Sequence, residues 1–473
     1  MIDVIIVAVW RFAGRRDRRP IPRGTPLPIL RPFRALRYDP EAVGDLAAVV
    51  SPPYDVISAD EQRRLLERHP KNVVRLDLPP EEAGDAPDDR YRRAARTFAQ
   101  WRSDGTLRKD PRPAIYVYEQ RYRVPGNDDE RIGRGFFARL RLEAFGPGSG
   151  VLPHERTLSG PKEDRYRLLR ATGANFSPIV ALFDEPHDRA AAILAAIAEA
   201  APDAQVRDDD GVVHRLWVVP ARGAGEAGSD ETPADPVAEL LTLAGHAPVT
   251  IADGHHRYET ALRYRDERRM TRTCEEDPAF DYVLALLLEY RRHPPTVLPT
   301  HRVVVGLGPA GVERLLAELP DLFVVTPLDT ETLVRRFANP AGAGGAGRFG
   351  LVTRDTSALL EARRDAFVPL LPRGGEALRR LDVTLLGATL ERCCGLDSAT
   401  VAGGERLRYT KSAAEAAGLV LAGSGGADAA FLLEPTPVAD IVAVARDGDV
   451  MPQKSTYFYP KPLTGLVLNP LEW

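Results

Sequence analysis

The stretch Val249-Thr250-Ile251-Ala252-Asp253-Gly254-His255-His256-Arg257-Tyr258-Glu259-Thr260-Ala261-Leu262 decides how the chain is read. It opens with small and β-branched residues, the signal of a short strand. Gly254 breaks it, and Tyr258, Ala261 and Leu262 then recur at helical spacing. Strand, tight turn and helix together present backbone N–H groups to an anion. The first amides of a helix lack internal partners, and the helix dipole favours negative charge there. Gly254 lets a ligand approach the backbone, and His255, His256 and Arg257 add side-chain donors. The stretch therefore predicts a phosphate cradle. The plainer alternative is an ordinary connection with Asp253 capping the helix. Cations in a first turn oppose the dipole unless an anion offsets them, which favours the cradle.

Around this stretch lie 473 residues, enough for two or three domains or one elaborated one. An apolar fraction of 44% with 27% charged residues places the chain among globular proteins with a sizeable core. The 63 basic and 67 acidic residues leave a net charge of −4, which argues against a general nucleic-acid or membrane-surface binder. Cys274, Cys393 and Cys394 do not imply a disulfide framework, and a reducing compartment fits. No apolar run reaches the length of a membrane span, and Val4 to Trp10 is too short for a secretory signal. The expected location is cytoplasmic. Residues 1–28, with Arg15-Arg16 and Arg18-Arg19, are expected to be a flexible extension. Residues 29–270 are expected to form an N-terminal α/β domain carrying the 253–257 box, and 271–473 a C-terminal α/β region packing back on the same site.

The chain mixes both element types. Ala47 to Val50 and Val73 to Leu78 read as strands. Ser58 and Glu61 form a capping box for a helix from about Ala59 to Arg68, and a helix is expected over Asp89 to Ser103. Ala114 to Tyr122 and Arg131 to Leu142 alternate around Pro125-Gly126-Asn127-Asp128, a β-hairpin signal. Phe280 to Tyr290 is continuously apolar, and periodicity leaves strand and helix open. Pro220 to Pro236 and Ala338 to Gly347 read as loops. The fold class is α/β in the mixed α+β sense.

Four more polar clusters stand out. Ser51-Pro52-Pro53-Tyr54-Asp55 is a rigid loop suited to walling a pocket or turning a corner. His154-Glu155-x-Thr157 precedes Pro161-Lys162-x-x-Arg165, where Lys162 and Arg165 share a face of a first helical turn. An anion between them, or pairing with Glu163 or Asp164, would offset the dipole. Pro299-Thr300-His301-Arg302 precedes a strand candidate. Lys454-Ser455-Thr456 superficially resembles a Walker loop, yet Gln453 and Pro452 stand where glycine is needed and an aromatic strand-like segment follows. Its side chains remain candidate phosphate donors.

Taken jointly, these pieces, with Arg31-Pro32-Phe33-Arg34-Ala35, resemble the bacterial and archaeal domain-of-unknown-function 1015 family. The Asp253-Gly254-His255-His256-Arg257 box is also similar to the ligand box of the ParB/sulfiredoxin superfamily. That resemblance implies an elaborated core of this kind with additional mixed-sheet subdomains, and nucleotide phosphates bound at the box. His255 stands where sulfiredoxins carry their cysteine, so thiol redox chemistry is not implied. No helix-turn-helix module of the partition proteins is visible. The free serine kinase branch is nearest in the box.

The leading expectation is a small-molecule phosphotransferase acting on a phosphorylated or hydroxylated metabolite such as serine or phosphoserine. Gly254, His255, His256, Arg257, Lys162, Arg165, His301, Arg302, Lys454, Ser455 and Thr456 are the expected phosphate or nucleotide contacts. Glu155, with His154 beside it, is the expected base, and Asp253 the expected Mg²⁺ ligand, with a nucleotide and Mg²⁺ as cofactors. One rival is a metal-dependent phosphatase or hydrolase using His154, Glu155, Asp253, His255, His256 or His301 as ligands. Another is a non-catalytic nucleotide-sensing regulator.

Overall fold

The structure is a computed structural model that describes residues 27–126, 129–157, 159–222, 235–271, 276–338, 347–397, 400–401, 404 and 406–472. Most of the expected N-terminal extension, Cys274, the Asn127-Asp128 turn and most of the two expected loops lie outside the described residues.

A large mixed sheet organises the first part of the chain. Its strands run in the order Val151–Leu152, Val249–Asp253, Ile179–Phe183, Tyr282–Glu289, Glu130–Arg141, Ala114–Arg123, Val213–Pro220 and Ala204–Arg207, with Leu30–Arg31 added along Glu130–Arg141. The expected hairpin sits at its centre, with Tyr118 opposite Gly135 and Tyr116 opposite Phe137. The ambiguous apolar run is the strand Tyr282–Glu289, parallel to Ile179–Phe183 and antiparallel to Glu130–Arg141. It is apolar throughout because both faces are buried. Val283, Ala285 and Leu287 enter the core with Tyr258 and Ala261 of the helix His255–Thr271. Leu284 and Leu286 enter another with Tyr116, Phe137 and the C-terminal Leu463, Leu466 and Val467.

A second, antiparallel sheet follows, in the order Phe323–Pro327, Ser357–Ala362, Arg348–Thr353, Ala427–Leu432, His301–Val305 and Leu407–Thr410. The helices Gly308–Leu322, Asp382–Cys394 and Val438–Arg446 share a core with one of its faces. Thr330–Ala338 and Ala413–Leu421 share a core with the other. Val180, Leu182 and Ala252 of the first sheet belong to the same apolar cluster as Phe349 and Phe431 of the second. The two sheets meet behind the strand that carries the box.

Two expected strands are helices instead. Leu46–Val49 is helical because Asp45 accepts the Ala47 amide at 2.9 Å, and Val74–Asp77 because the Asn72 side chain accepts the Val74 amide at 3.0 Å. In each case a polar residue just ahead of the apolar run captures an amide and sets the first turn, which outweighs β-branched composition. No helix among the described residues is long and apolar enough to cross a membrane. Cys393 and Cys394 are buried free thiols.

Candidate functional site

The strand Val249–Asp253 delivers the chain to Gly254, whose φ of +86° no other residue adopts without strain. A Cβ there would lie 3.1 Å from both the Arg257 guanidinium and Ile179. The Gly254 carbonyl accepts the Tyr258 amide at 3.0 Å, so Gly254 itself is the N-cap. The amides of His255, His256 and Arg257 therefore precede the first intrahelical bond.

The three side chains of the box take different directions. His255 is buried, and its Nε2 accepts the His154 amide at 3.3 Å. Burial and the neighbouring His154 hold it well below the usual imidazole range. Arg257 is also buried; it donates to the Pro178 carbonyl and, at 2.9 Å, to Asp253. His256 is half-buried beside Lys162, Lys454 and Asp55, and burial lowers its pKa. Asp253 does not cap the helix. Its Oδ1 accepts from Lys461 Nζ at 3.1 Å and its Oδ2 from Arg257. Burial pushes this carboxyl up, but Lys461 and Arg257 outweigh it and hold it well below the ordinary range.

His154-Glu155 runs alongside the box. The fully buried His154 donates from Nδ1 to the Ile251 carbonyl at 2.5 Å, so Nε2 is left to accept the Thr456 hydroxyl at 3.0 Å. Burial lowers its pKa to about 4, so it is neutral at pH 7. Its ring meets that of His255 edge-on with centroids 4.7 Å apart. The Met451 amide donates to the His154 carbonyl at 2.8 Å, which docks the segment 451–456 against it. Glu155 Oε1 then accepts the Lys454 amide at 2.6 Å, while Oε2 lies 3.9 Å from His154 Nε2. Burial pushes the Glu155 carboxyl up to about 7, against the pull of the Lys454 amide. Lys454 itself takes a left-handed φ of +56°.

The remaining expected residues lie at graded distances from this junction. Lys162 pairs with Glu259, which also accepts from Thr157 at 2.8 Å, on the helix flank next to His256. Arg165 is buried against Asp77 and Asp164 and stacks over the Tyr54 ring at 3.9 Å. Arg302 donates to the Thr300 carbonyl and, at 3.4 Å, to the Lys454 carbonyl. Burial lowers its pKa to about 10. His301 is fully buried, with Nδ1 accepting the Leu433 amide at 3.1 Å and burial lowering its pKa to about 3. Ser455 donates to the Pro452 carbonyl, closing the turn before Thr456. His154-Glu155, the box and 454–456 are thus brought into direct contact. Lys162 joins through Glu259 and Arg302 through the Lys454 carbonyl, whereas Arg165 and His301 hold neighbouring walls.

A family model described as "Protein of unknown function (DUF1015)" matches residues 30–384, three-quarters of the chain. The chain belongs to this family. No curated protein matches it. Among solved structures, a free serine kinase in complex with AMP aligns at 14% identity and a TM-score of 0.32, covering 66% of this chain and 86% of that one. A conserved hypothetical protein from Pyrococcus furiosus aligns at 14% identity and a TM-score of 0.30, covering 66% and 90%. SbnI with C-terminal truncation, from Staphylococcus aureus, aligns at 13% identity and a TM-score of 0.31, covering 68% and 84%.

In this family member a Mg²⁺ ion does not fit Asp253. Both carboxylate oxygens already accept from cations, and two positive charges face them. Among the described residues no group of three or more His, Cys, Asp or Glu is arranged to hold a metal. Lys461 is the contact that sequence reasoning missed. It sits in the aromatic run after Tyr457, and nothing local marks a lysine there as the partner of a carboxylate two hundred residues earlier. The pairing of Arg257 with Asp253, by contrast, is an i, i+4 spacing and was open to inference.

Proposed function

We propose that this protein is a small-molecule phosphotransferase whose donor is a nucleotide held by its phosphates at the 254–257 turn. The observation that carries this reading is the hydrogen-bonded junction of His154-Glu155, the box and Lys454-Thr456. In support of it, the half-buried Glu155 carboxyl accepts the Lys454 amide and feels the Lys454 and Lys461 charges. The amides of 255–257, His256, Lys162 and Lys454 are the groups positioned to meet the donor phosphates. Arg257 and His255 act from beneath, fixing the turn through Asp253 and His154. Glu155 takes the proton from an acceptor hydroxyl as its oxygen bonds to the terminal phosphorus. The bond from that phosphorus to the donor's bridging oxygen breaks, and the nucleotide leaves one phosphate shorter. A carboxyl with its pKa near 7 is suited to this proton transfer at neutral pH. Small hydroxylated metabolites, with serine the first to try, are the proposed acceptors.

Thermal-shift titration with ATP, ADP, AMP and phosphoserine tests the donor half. Nucleotide should raise the melting temperature of the wild type, and the shift should shrink in His256→Ala and in Lys454→Asn, asparagine tolerating the left-handed backbone. Folded variants that keep the full wild-type shift would remove the turn from the account.

A further inference from the structure

The lysines around Tyr457 are not all accounted for by the site described above. Lys461 Nζ lies 4.5 Å from the centre of the Tyr457 ring, and Lys411 Nζ lies 3.5 Å from the same centre. Lys411 comes from the second sheet, in the turn between the strand Leu407–Thr410 and the helix Ala413–Leu421. Lys454 stands three residues before the ring. Lys461 has Asp253 as its counter-ion. Among the described residues, no carboxylate lies within ion-pair distance of the Lys411 or Lys454 ammonium groups. Asp210 and Glu415 lie only within longer electrostatic reach of Lys411, and Glu415 instead accepts from the Thr410 hydroxyl. Lys411 and Lys454 are both exposed, and partial desolvation with the fields of Lys461 and Lys454 lowers the Lys411 pKa. Like charges gathered without a counter-ion repel, and a bridging anion turns that cost into attraction. Lys454 lies within electrostatic reach of both Lys411 and His256, so positive charge runs on from the helix end to the second sheet. A chain of linked phosphates has the length and the charge.

We infer that Lys411, over the Tyr457 ring and near Lys454, forms the outer half of a polyphosphate site, so that the donor is a di- or triphosphate gripped at one end by the second sheet. This rests on the phosphotransferase reading for its biological meaning, but the anion site is testable alone. Isothermal titration calorimetry on the full chain would use inorganic phosphate, pyrophosphate and tripolyphosphate. The wild type should bind more tightly as the chain lengthens. Lys411→Met should weaken tripolyphosphate by about tenfold and leave single phosphate unchanged, and Lys411→Arg should restore most of the loss. A Lys411→Met protein that binds all three as the wild type does, or weakens all three equally, would overturn the assignment. Tight, Lys411-dependent tripolyphosphate binding without ATP binding would sink the phosphotransferase reading and leave this site standing. ATP binding untouched by Lys411→Met would do the reverse.

Discussion

Glu155 shows how one residue's surroundings set its chemistry. Its carboxyl is half-buried with one amide donor and no paired cation, so desolvation dominates and the proton is held up to about 7 from an ordinary 4.5. Asp253 is half-buried as well, yet two cations hold it ionised. The two acids therefore differ in protonation near neutral pH because of their partners and not their burial. The stability consequence has a definite sign. A folded-state pKa above the unfolded one contributes stability that is fully present below about pH 4.5 and lost as pH rises through about 7. Urea denaturation of wild type and Glu155→Gln should show the wild type losing ground to the variant across that window. A stability difference that stays flat with pH would contradict the assignment. His154 and Glu155 were singled out from their type and company, and the structure sets His154 against the box. That Arg257 and His255 turn inward was not legible, because their partners, the accepting Pro178 carbonyl and the donating His154 amide, lie far away in sequence.

At the scale of elements, the strand Val249–Asp253 and the helix His255–Thr271 are joined at two levels. Gly254 supplies the backbone geometry, and Asp253 ties the strand end both to the first turn and to the C-terminal segment through Lys461. Removing the shared carboxylate leaves the buried Arg257 and the half-buried Lys461 without it. Asp253→Asn should cost about 3–5 kcal/mol in urea denaturation. A loss below about 1 kcal/mol would mean the tie behaves like a surface pair. Long periodic elements were legible from sequence: the helix over Asp89–Ser103 has the expected bounds, with Tyr91, Phe98 and Trp101 buried. Short apolar runs were not, since a four-residue segment after Asp45 or Asn72 is decided by the cap. The run at 282–289 was undecidable alone, because its period of two appears only when the two cores it divides are seen.

Across the whole molecule, the site exists because the chain returns to its beginning. The last strands and turns lace back over the first sheet: Tyr457–Tyr459 pairs with Thr296–Leu298, Asn469–Pro470 with Ala174–Asn175, and Leu468 with Leu36. Arg139, almost fully buried in the central sheet, donates to the Asn469 side chain and to the carbonyls of Pro470 and Glu472. This anchoring holds Lys454, Thr456 and Lys461 against the box. No local pattern in the sequence announces such a return; it becomes visible only in the pairing of distant strands. The central claim is that the assembled junction transfers a phosphoryl group from a nucleotide to a small alcohol. Phosphorus NMR of the full chain with ATP, magnesium in the buffer and a panel of hydroxylated metabolites led by serine tests it most directly. The account predicts a phosphomonoester signal that grows with loss of the terminal nucleotide phosphate, and its near-absence in Glu155→Gln although that variant still binds ATP. Bound ATP without any ester formed, or equal turnover by Glu155→Gln, would contradict it.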